Sequence, residues 1–502
     1  MGSYRNLDVL EEYQPAQREL ERLIGELAEL ERSFGEHAEI ERHIGQRGQE
    51  IMRLLLQGHL NRLWQAEESR EDVVGAQGRP HRYARERCRA LMSVFGKVQV
   101  RRLGYSDHDT GSLFPMDARL NLPVELYSHG LRERVGEAVA AGSYEAAIEQ
   151  VGRHTGAQVP KRQAEEMAQV LATDFDGFYQ HRQIVAEQRP KQKSKPDLLV
   201  MSVDGKGIVM RHEDLRECTR QRAEGASHKL SSRLSRGEKR NRKRMATVAT
   251  VYEVAPHHRT ADKMMDPEGP RSQAPKPANK RVWASVEQTV AEVLDECFAE
   301  AKRRDPDGDR SWIMLVDGQE EQLRQVYAAI ERHGASVIVI QDFIHVLEYR
   351  WDATWCLHQE GDPAAEQWVR EHAIGILEGK SSEVAAGMRR SATRRELSQS
   401  ERAPLDKCAE YLLKNRERLQ YAHALKNGLP IATGVVEGAC RHLVKQRMEC
   451  SGARWSLKGA EAVLQLRALQ MSGDLDAYFA FHKSQERLRN HPEWPNQQRL
   501  AA

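Results

Sequence analysis

Hydrophobic spacing changes character along the chain, and each change predicts a different kind of element. Over residues 15–35, Leu20, Leu23, Leu27, Leu30 and Phe34 recur at steps of three and four, the seam of a short coiled coil or a docked amphipathic helix. A second apolar helix is expected from Ile51 through Leu54, Leu55, Leu60, Leu63 and Trp64. Residues 97–103 alternate and read as a strand, whose arginines suit either an ordinary amphipathic edge or a β-ribbon against DNA. Further on, one helix is expected from Ser143 to Thr155-Gly156, and another is opened by Val159-Pro160-Lys161-Arg162, with proline near its first position. Two short helices about a glycine turn match a helix-turn-helix over 143–170, with Lys161 and Arg162 facing DNA; a helical hairpin without DNA contacts has the same pattern.

A Pro- and Lys-rich break at 188–196 precedes a change to short Val-, Ile- and Leu-rich runs. These predict a strand at 198–203, a tight turn at Gly205-Lys206-Gly207, a strand at 208–210 and a long strand at 246–252. A Pro/Lys loop at 262–281, a helix at 284–303, a strand at 312–316, a helix at 319–333, a strand at 336–340 and a helix from Asp342 follow. From 361 to about 425 the chain reads as helical and polar, an all-α insertion. Strands, then helix, strand, helix, strand is the order of a ribonuclease-H-like α/β core. The expected domains are a helical region at 1–65 suited to self-association and a mostly helical N-terminal DNA-binding region at 66–187. A core at 188–360, the insertion at 361–428, the closing core helix at 429–472 and a tail at 473–502 complete the chain.

Charge adds a partner. The 502 residues carry a formal net charge of only +2, but eight Lys or Arg against one acid fall between His228 and Arg244. A second basic tract fills 189–196. Local basic density on a near-neutral chain suits a polyanion, although a solvated loop looks the same. Mean hydropathy is −0.69, and neither a long apolar run nor a signal-peptide pattern occurs, so no membrane is expected and a cytoplasmic, nucleoid-associated setting is. Seven scattered cysteines without a CxxC pair fit a reducing compartment. Cys356-Leu357-His358 is too isolated for zinc, and no glycine-rich nucleotide motif occurs.

Three acids stand in similar settings. Asp204 and Asp317 each close an apolar run and precede a glycine, and Glu437 lies in Gly434-Val435-Val436-Glu437-Gly438 before a basic helix. Carboxylates that converge to roughly 4 Å repel by about 4 kcal/mol per pair at an effective dielectric near 20. Such a cluster is expected to hold hard cations, two Mg²⁺ (or Mn²⁺) for phosphate chemistry. On the closing helix Glu437, Arg441, Lys445 and Met448 recur about every four residues, setting cations beside the acid; plain charge pairing on a solvated helix fits Glu437 and Arg441 equally well. Asp342 and His345 open a helix at the same sheet edge and are expected as auxiliary site residues; the bland alternative is an N-cap and a packed histidine.

The ordered set Ser202-Val203-Asp204-Gly205-Lys206-Gly207, Val316-Asp317-Gly318, Gln341-Asp342-Phe343-Ile344-His345 and Gly434 to Gly438 resembles bacterial insertion-sequence DDE transposases of the ISKra type, distantly Mutator-like. Lys445 to Met448 with Ser451 to Ser456 is similar to the basic-aromatic signature after the family's catalytic Glu. The resemblance covers roughly 195–470. It implies metal-dependent cleavage and strand transfer on double-stranded DNA, at element ends and target, by an oligomer formed on DNA. It assigns Asp204 to both ions and Asp317 and Glu437 to one each, and sets an acid-and-histidine pair at Asp342 and His345. Lys206, Arg240, Arg242, Lys243, Arg244, Arg441, Lys445, Arg447, Arg454 and Trp455 are the expected DNA contacts of this region. A nuclease that only hydrolyses would use the same acids, and a transposase-derived regulator would keep only the DNA-binding features.

Overall fold

The computed structural model describes residues 11–492 apart from 34–35, 72, 76–77, 108–110, 189–197, 228, 231–232, 236 and 267–273. The basic tract at 189–196, Phe34, His228 and Arg236 therefore lie outside the described residues. Two compact units result: Met1–Phe178 together with Asp474–Ala502, and Tyr179–Gly473.

The first unit opens with helices Gln14–Ser33 and His37–Gln65, folded back on each other. Glu26 accepts from His43 at 2.7 Å, and Arg47 binds both Glu26 and Glu19. The row facing the partner helix is Ala16, Glu19 and Leu23, all buried, while Leu20 is 46% exposed. The expected leucine seam is thus rotated, because the Glu19–Arg47 pair and the small Ala16 occupy the contact. Strands β1 (Tyr83–Ser93) and β2 (Gly96–Ser106) form an antiparallel hairpin. Alternation in β2 buries Val98 and Val100 with Leu60, Leu91 and Met116. Arg101 pairs with Glu86, and Arg102 is buried on Asp117, so Arg102 offers nothing to a DNA groove. Helices Tyr144–His154 and Lys161–Ala172 form the expected helical pair, the first capped by Ser143, whose hydroxyl accepts from Ala146 N. Lys161 is ion-paired with Glu145 and Arg162 with Glu166. The last helix, Leu475–Asn490, is part of this unit's core: Tyr478 donates to Leu171 O, Arg132 to Glu486 and His482 pairs with Asp174.

The second unit is a five-stranded mixed sheet with helices. Its strands are β3 (Leu198–Val209), β4 (Lys243–Val254), β5 (Ala278–Ser285), β6 (Trp312–Val316) and β7 (Val337–Gln341), in the order β5-β4-β3-β6-β7. The first three are antiparallel neighbours, and β6 and β7 run parallel to β3. Two expectations fail here. No turn occurs at 205–207, because β3 continues through Gly205, Lys206 and Gly207, paired with Thr247, Ala246 and Met245. A Cβ at either glycine would crowd Met245 or Lys243, at 3.1 and 3.0 Å, so these glycines relieve a cross-strand contact rather than reverse the chain. The third strand is instead Ala278–Ser285, in the stretch read as loop and helix start, and the following helix begins at Val290 behind a Thr289 capping box.

Both sheet faces are covered. Leu198, Val200, Ile313, Leu315 and Ile340 face a core shared with Val346, Ile376, Met388, Leu405 and Leu412 of the helical stretch. Helix Val290–Arg304 packs on β3 and β4, burying Val293, Leu294, Cys297 and Phe298. Each such aliphatic side chain contributes roughly 1.5–3 kcal/mol of burial, which is why the central strands lack polar alternation. After β7 the chain is helical: Phe343–Thr354, Pro363–Leu377, Ser381–Arg394, Gln399–Lys414 and Tyr421–Lys426. The closing helix begins at Gly434–Ala439, widens to a π-turn over Cys440–Lys445 and ends at Gln446–Met448.

Candidate functional site

The sheet register aligns three acids. Ser202 pairs with Leu315 across β3 and β6, and Val316 with Gln341 across β6 and β7. Continued by one or two steps, the same registers set Asp204, Asp317 and Asp342 abreast, on strands spaced about 4.8 Å. Where the β3–β6 ladder stops, Gln322 takes over: its amide donates to Val203 O at 2.6 Å and accepts from Asp317 N at 3.2 Å. One side chain thus fixes the backbone beside both aspartates.

Glu437 approaches from the closing helix. Thr433 precedes that helix; its N–H donates to Asp342 Oδ1 at 3.1 Å and its hydroxyl to Glu437 Oε1 at 3.3 Å. Three residues after Glu437, the Cys440 thiol donates to Asp204 Oδ2 at 3.2 Å. Burial, Asp204 and Glu437 together push the Cys440 thiol up, so it stays protonated and bridges the neighbourhoods of these acids. Arg441 and Lys445 are exposed, whereas Met448 is fully buried and leaves the expected face, since the π-turn over Cys440–Lys445 shifts the helical phase.

Asp342 is completely buried and saturated. Its oxygens accept from Ile344 N, His345 N and Thr433 N, and it pairs with His345 Nδ1 at 2.6 Å. Burial raises the Asp342 carboxyl, but His345 and Thr433 outweigh it and hold it below its usual range. His345 is raised to about 9, first by the Asp342 hydrogen bond, against burial, and with help from the charges of Asp342, Glu348 and Asp317. The plain alternative holds in half: Asp342 is an N-cap, but His345 is not packed inside and stands as a half-exposed imidazolium beside the acids.

The donor set discriminates between metal arrangements. Asp342, His345 and Glu437 can each offer one ligand atom within 4.8 Å of the others. Asp342 has no oxygen to spare, whereas His345 has Nδ1 on Asp342 and no hydrogen bond on Nε2 among the described residues, so a metal that displaced its proton would find that nitrogen oriented. Glu437 Oε2 and Asp317 Oδ2 carry no hydrogen bond among the described residues, since Thr433 and Gln319 N occupy only the other oxygens. Asp204 accepts one bond on each oxygen, from Gly205 N and Cys440, leaving a lone pair on each. Asp204, Asp317 and Glu437 offer hard oxygen donors, but as a set their oxygens do not come within 4.8 Å of one another; a protonated His345 would suit an anion.

The expected DNA contacts separate. Lys206 is half-buried and near Cys440 and Glu449, and Lys243 is paired with Glu449 at 3.0 Å. Arg244 is held by the carbonyls of Val286 and Asp214. Arg240, Arg242 and Arg454 line a cavity beyond the end of β3. Arg447 and Trp455 are corrected: they are 2% and 5% exposed and stack with each other, the indole donating to Met448 O. Gln322, Thr433 and Cys440 went unnoticed in the sequence; Cys440 alone left a signal, lying one turn after Glu437.

Among the described residues no helix is long and apolar enough to cross a membrane. Residues 34–189 are similar to an uncharacterised protein family (UPF0236). That span precedes the 195–470 stretch that carries the transposase resemblance. No curated protein matches the chain.

Proposed function

We propose that this chain is a DDE transposase with a ribonuclease-H-like core, which binds the ends of its element and catalyses metal-dependent DNA cleavage and strand transfer. The observation that carries the reading is the alignment of Asp204 and Asp317 on adjacent parallel strands, clamped by Gln322, with Glu437 joined to Asp204 through Cys440. The strand order β5-β4-β3-β6-β7, with helices between β5, β6 and β7, is also that of a ribonuclease-H-like sheet.

Divalent ions bound by these carboxylates would activate the attacking oxygen and stabilise the departing one in an in-line displacement. Asp204 has lone pairs on both oxygens for a shared position, and Asp317 and Glu437 each keep one oxygen open. His345, held protonated by Asp342, presents positive charge toward the phosphate. Arg441 and Lys445, exposed beyond Glu437, suit the flanking strand.

The test is incubation of the purified protein with DNA flanking its own gene, with Mg²⁺ or Mn²⁺. Joined products are expected; cut but unjoined products assign a hydrolytic nuclease, and unaltered bound DNA assigns a regulator. Asp204→Asn, Asp317→Asn and Glu437→Gln should each abolish cleavage while melting temperature and end binding stay nearly unchanged. Near-normal cleavage by any one of them removes that residue from the ligand set.

A further inference from the structure

The second unit also holds a cavity of about 420 Å³ where β3 ends, within the roughly 300–1,000 Å³ typical of sites for small organic ligands. One wall is apolar: Met210 and Leu215 are buried, Ala223 and Leu234 line it beside them, and His212 and Asn241 add polar groups. Its mouth is cationic. Arg233, Arg240, Arg242 and Arg454 line it without an acidic neighbour in the lining. None of these four guanidinium groups has an ion pair or hydrogen bond among the described residues.

The walls are built. Met210 N donates to Arg242 O at 3.0 Å, extending the β3–β4 pairing to the cavity. Asn241 takes a left-handed backbone (φ 47°) and its amide donates to Arg222 O, so that Arg240 and Arg242 both line the space. Arg454 is fixed by its neighbour: Trp455 N donates to Val209 O at 3.0 Å, and Trp455 O accepts from Arg211 N at 2.8 Å. This explains the buried Trp455, which anchors the segment presenting Arg454.

An apolar wall with His212 and Asn241 beside it, under unpaired guanidinium groups, matches a flat ring with polar edges that carries phosphate. A small inorganic anion would leave Met210, Leu215 and Leu234 unused. Arginine forks bind phosphate oxygens and stack on bases. We propose that the cavity receives one unstacked nucleotide of the bound DNA strand, its base against Met210, Leu215 and Leu234 and its phosphate on Arg240, Arg242 and Arg454. The inference rests on the DNA-cleaving reading of the carboxylates. Met210 lies six residues along β3 from Asp204, about 20 Å at strand rise, or about six steps of a stacked DNA strand. The extruded nucleotide would thus lie a few positions from the scissile phosphate.

The full-length protein is titrated with a duplex bearing 2-aminopurine as a one-nucleotide bulge, and with the same duplex fully paired. A bulge removes most of the unstacking cost. The bulged duplex is expected to bind about tenfold tighter, the scale of one base–side-chain stacking contact, with a change in 2-aminopurine fluorescence. Ala223→Trp fills the cavity and should bring the preference to about one. Leu234→Asn, which removes apolar wall without filling, should lower the preference too, and carries the test if Ala223→Trp fails to fold. Equal affinity for both duplexes overturns the inference and leaves the DNA reading intact; no binding to either overturns both. Binding of free deoxyadenosine monophosphate that Ala223→Trp abolishes, without any bulge preference, overturns the strand proposal and assigns the cavity to a free nucleotide.

Discussion

Asparagine at position 342 separates the charge of the buried aspartate from its role as a cap. An Asn side-chain oxygen can still accept from Thr433 N and Ile344 N, so the helix start and its tie to the Glu437 segment survive. The ion pair with His345 does not. Raising His345 from 6.5 to about 9 corresponds to at most roughly 3 kcal/mol at 1.36 kcal/mol per pH unit. The imidazole is 35% exposed, and solvent screening reduces this to about 1–2 kcal/mol. Because the folded pKa lies above the unfolded value, this stabilisation is fully present below about pH 6.5 and is lost as pH rises through about 9. Asp342→Asn should therefore lower unfolding free energy by about 1–2 kcal/mol below pH 6.5, with the deficit shrinking toward pH 9. Urea unfolding across that window gives the energies, and an NMR titration of the histidine ring carbons gives the pKa. In the variant His345 should titrate at or below its ordinary value. A wild-type His345 that already titrates near 6.5, or a deficit independent of pH, would refute the electrostatic account.

Two further outcomes follow from geometry. Replacing Arg240 and Arg242 by alanine should flatten the slope of log K against log salt by up to about two, whereas Arg244→Ala should mainly destabilise, since its guanidinium bonds the carbonyls of Val286 and Asp214; filter binding at several salt concentrations and thermal melting distinguish them. Gly318→Ala should cost more than about 1 kcal/mol and impair cleavage, because Gly318 has φ 90° and a Cβ there would lie 2.3 Å from Gln341 Nε2, next to Asp317. Unchanged melting temperature and cutting would show that this turn does not hold Asp317.

The parts legible in the sequence were those whose signal is local. Strands β6 and β7 are continuous apolar runs, and Asp342 carries its cap within three residues, so both were read to within a residue or two. β3 was misread because glycine usually marks a turn, and only the partner strand reveals that Gly205 and Gly207 make room for Met245 and Lys243. β5 begins Ala278-Asn279-Lys280-Arg281, polar enough to pass for loop; its buried half is set by contact with helix Leu457–Ser472, far along the chain. Trp455 and Arg447 looked like surface recognition residues because aromatic and basic side chains suit both a DNA face and an interior stack. The links among the acids, Gln322 to Val203 and Cys440 to Asp204, span 119 and 236 residues and have no sequence period to betray them.

The return of helix Leu475–Asn490 to the first unit has a consequence for biosynthesis. Buried Tyr478 and Phe479, with Glu486 on Arg132, are made about 300 residues after the other members of the core they complete. At about 5–20 residues per second, roughly 15–60 s separate the emergence of residue 178 from that of residue 490. Throughout that interval Leu171 lacks Tyr478 and Arg132 has Glu125 but lacks Glu486, while the intervening sheet is completed. The nascent first unit must therefore wait with part of its core open, and a stop codon just before 475 would release a finished sheet attached to an unfinished neighbour.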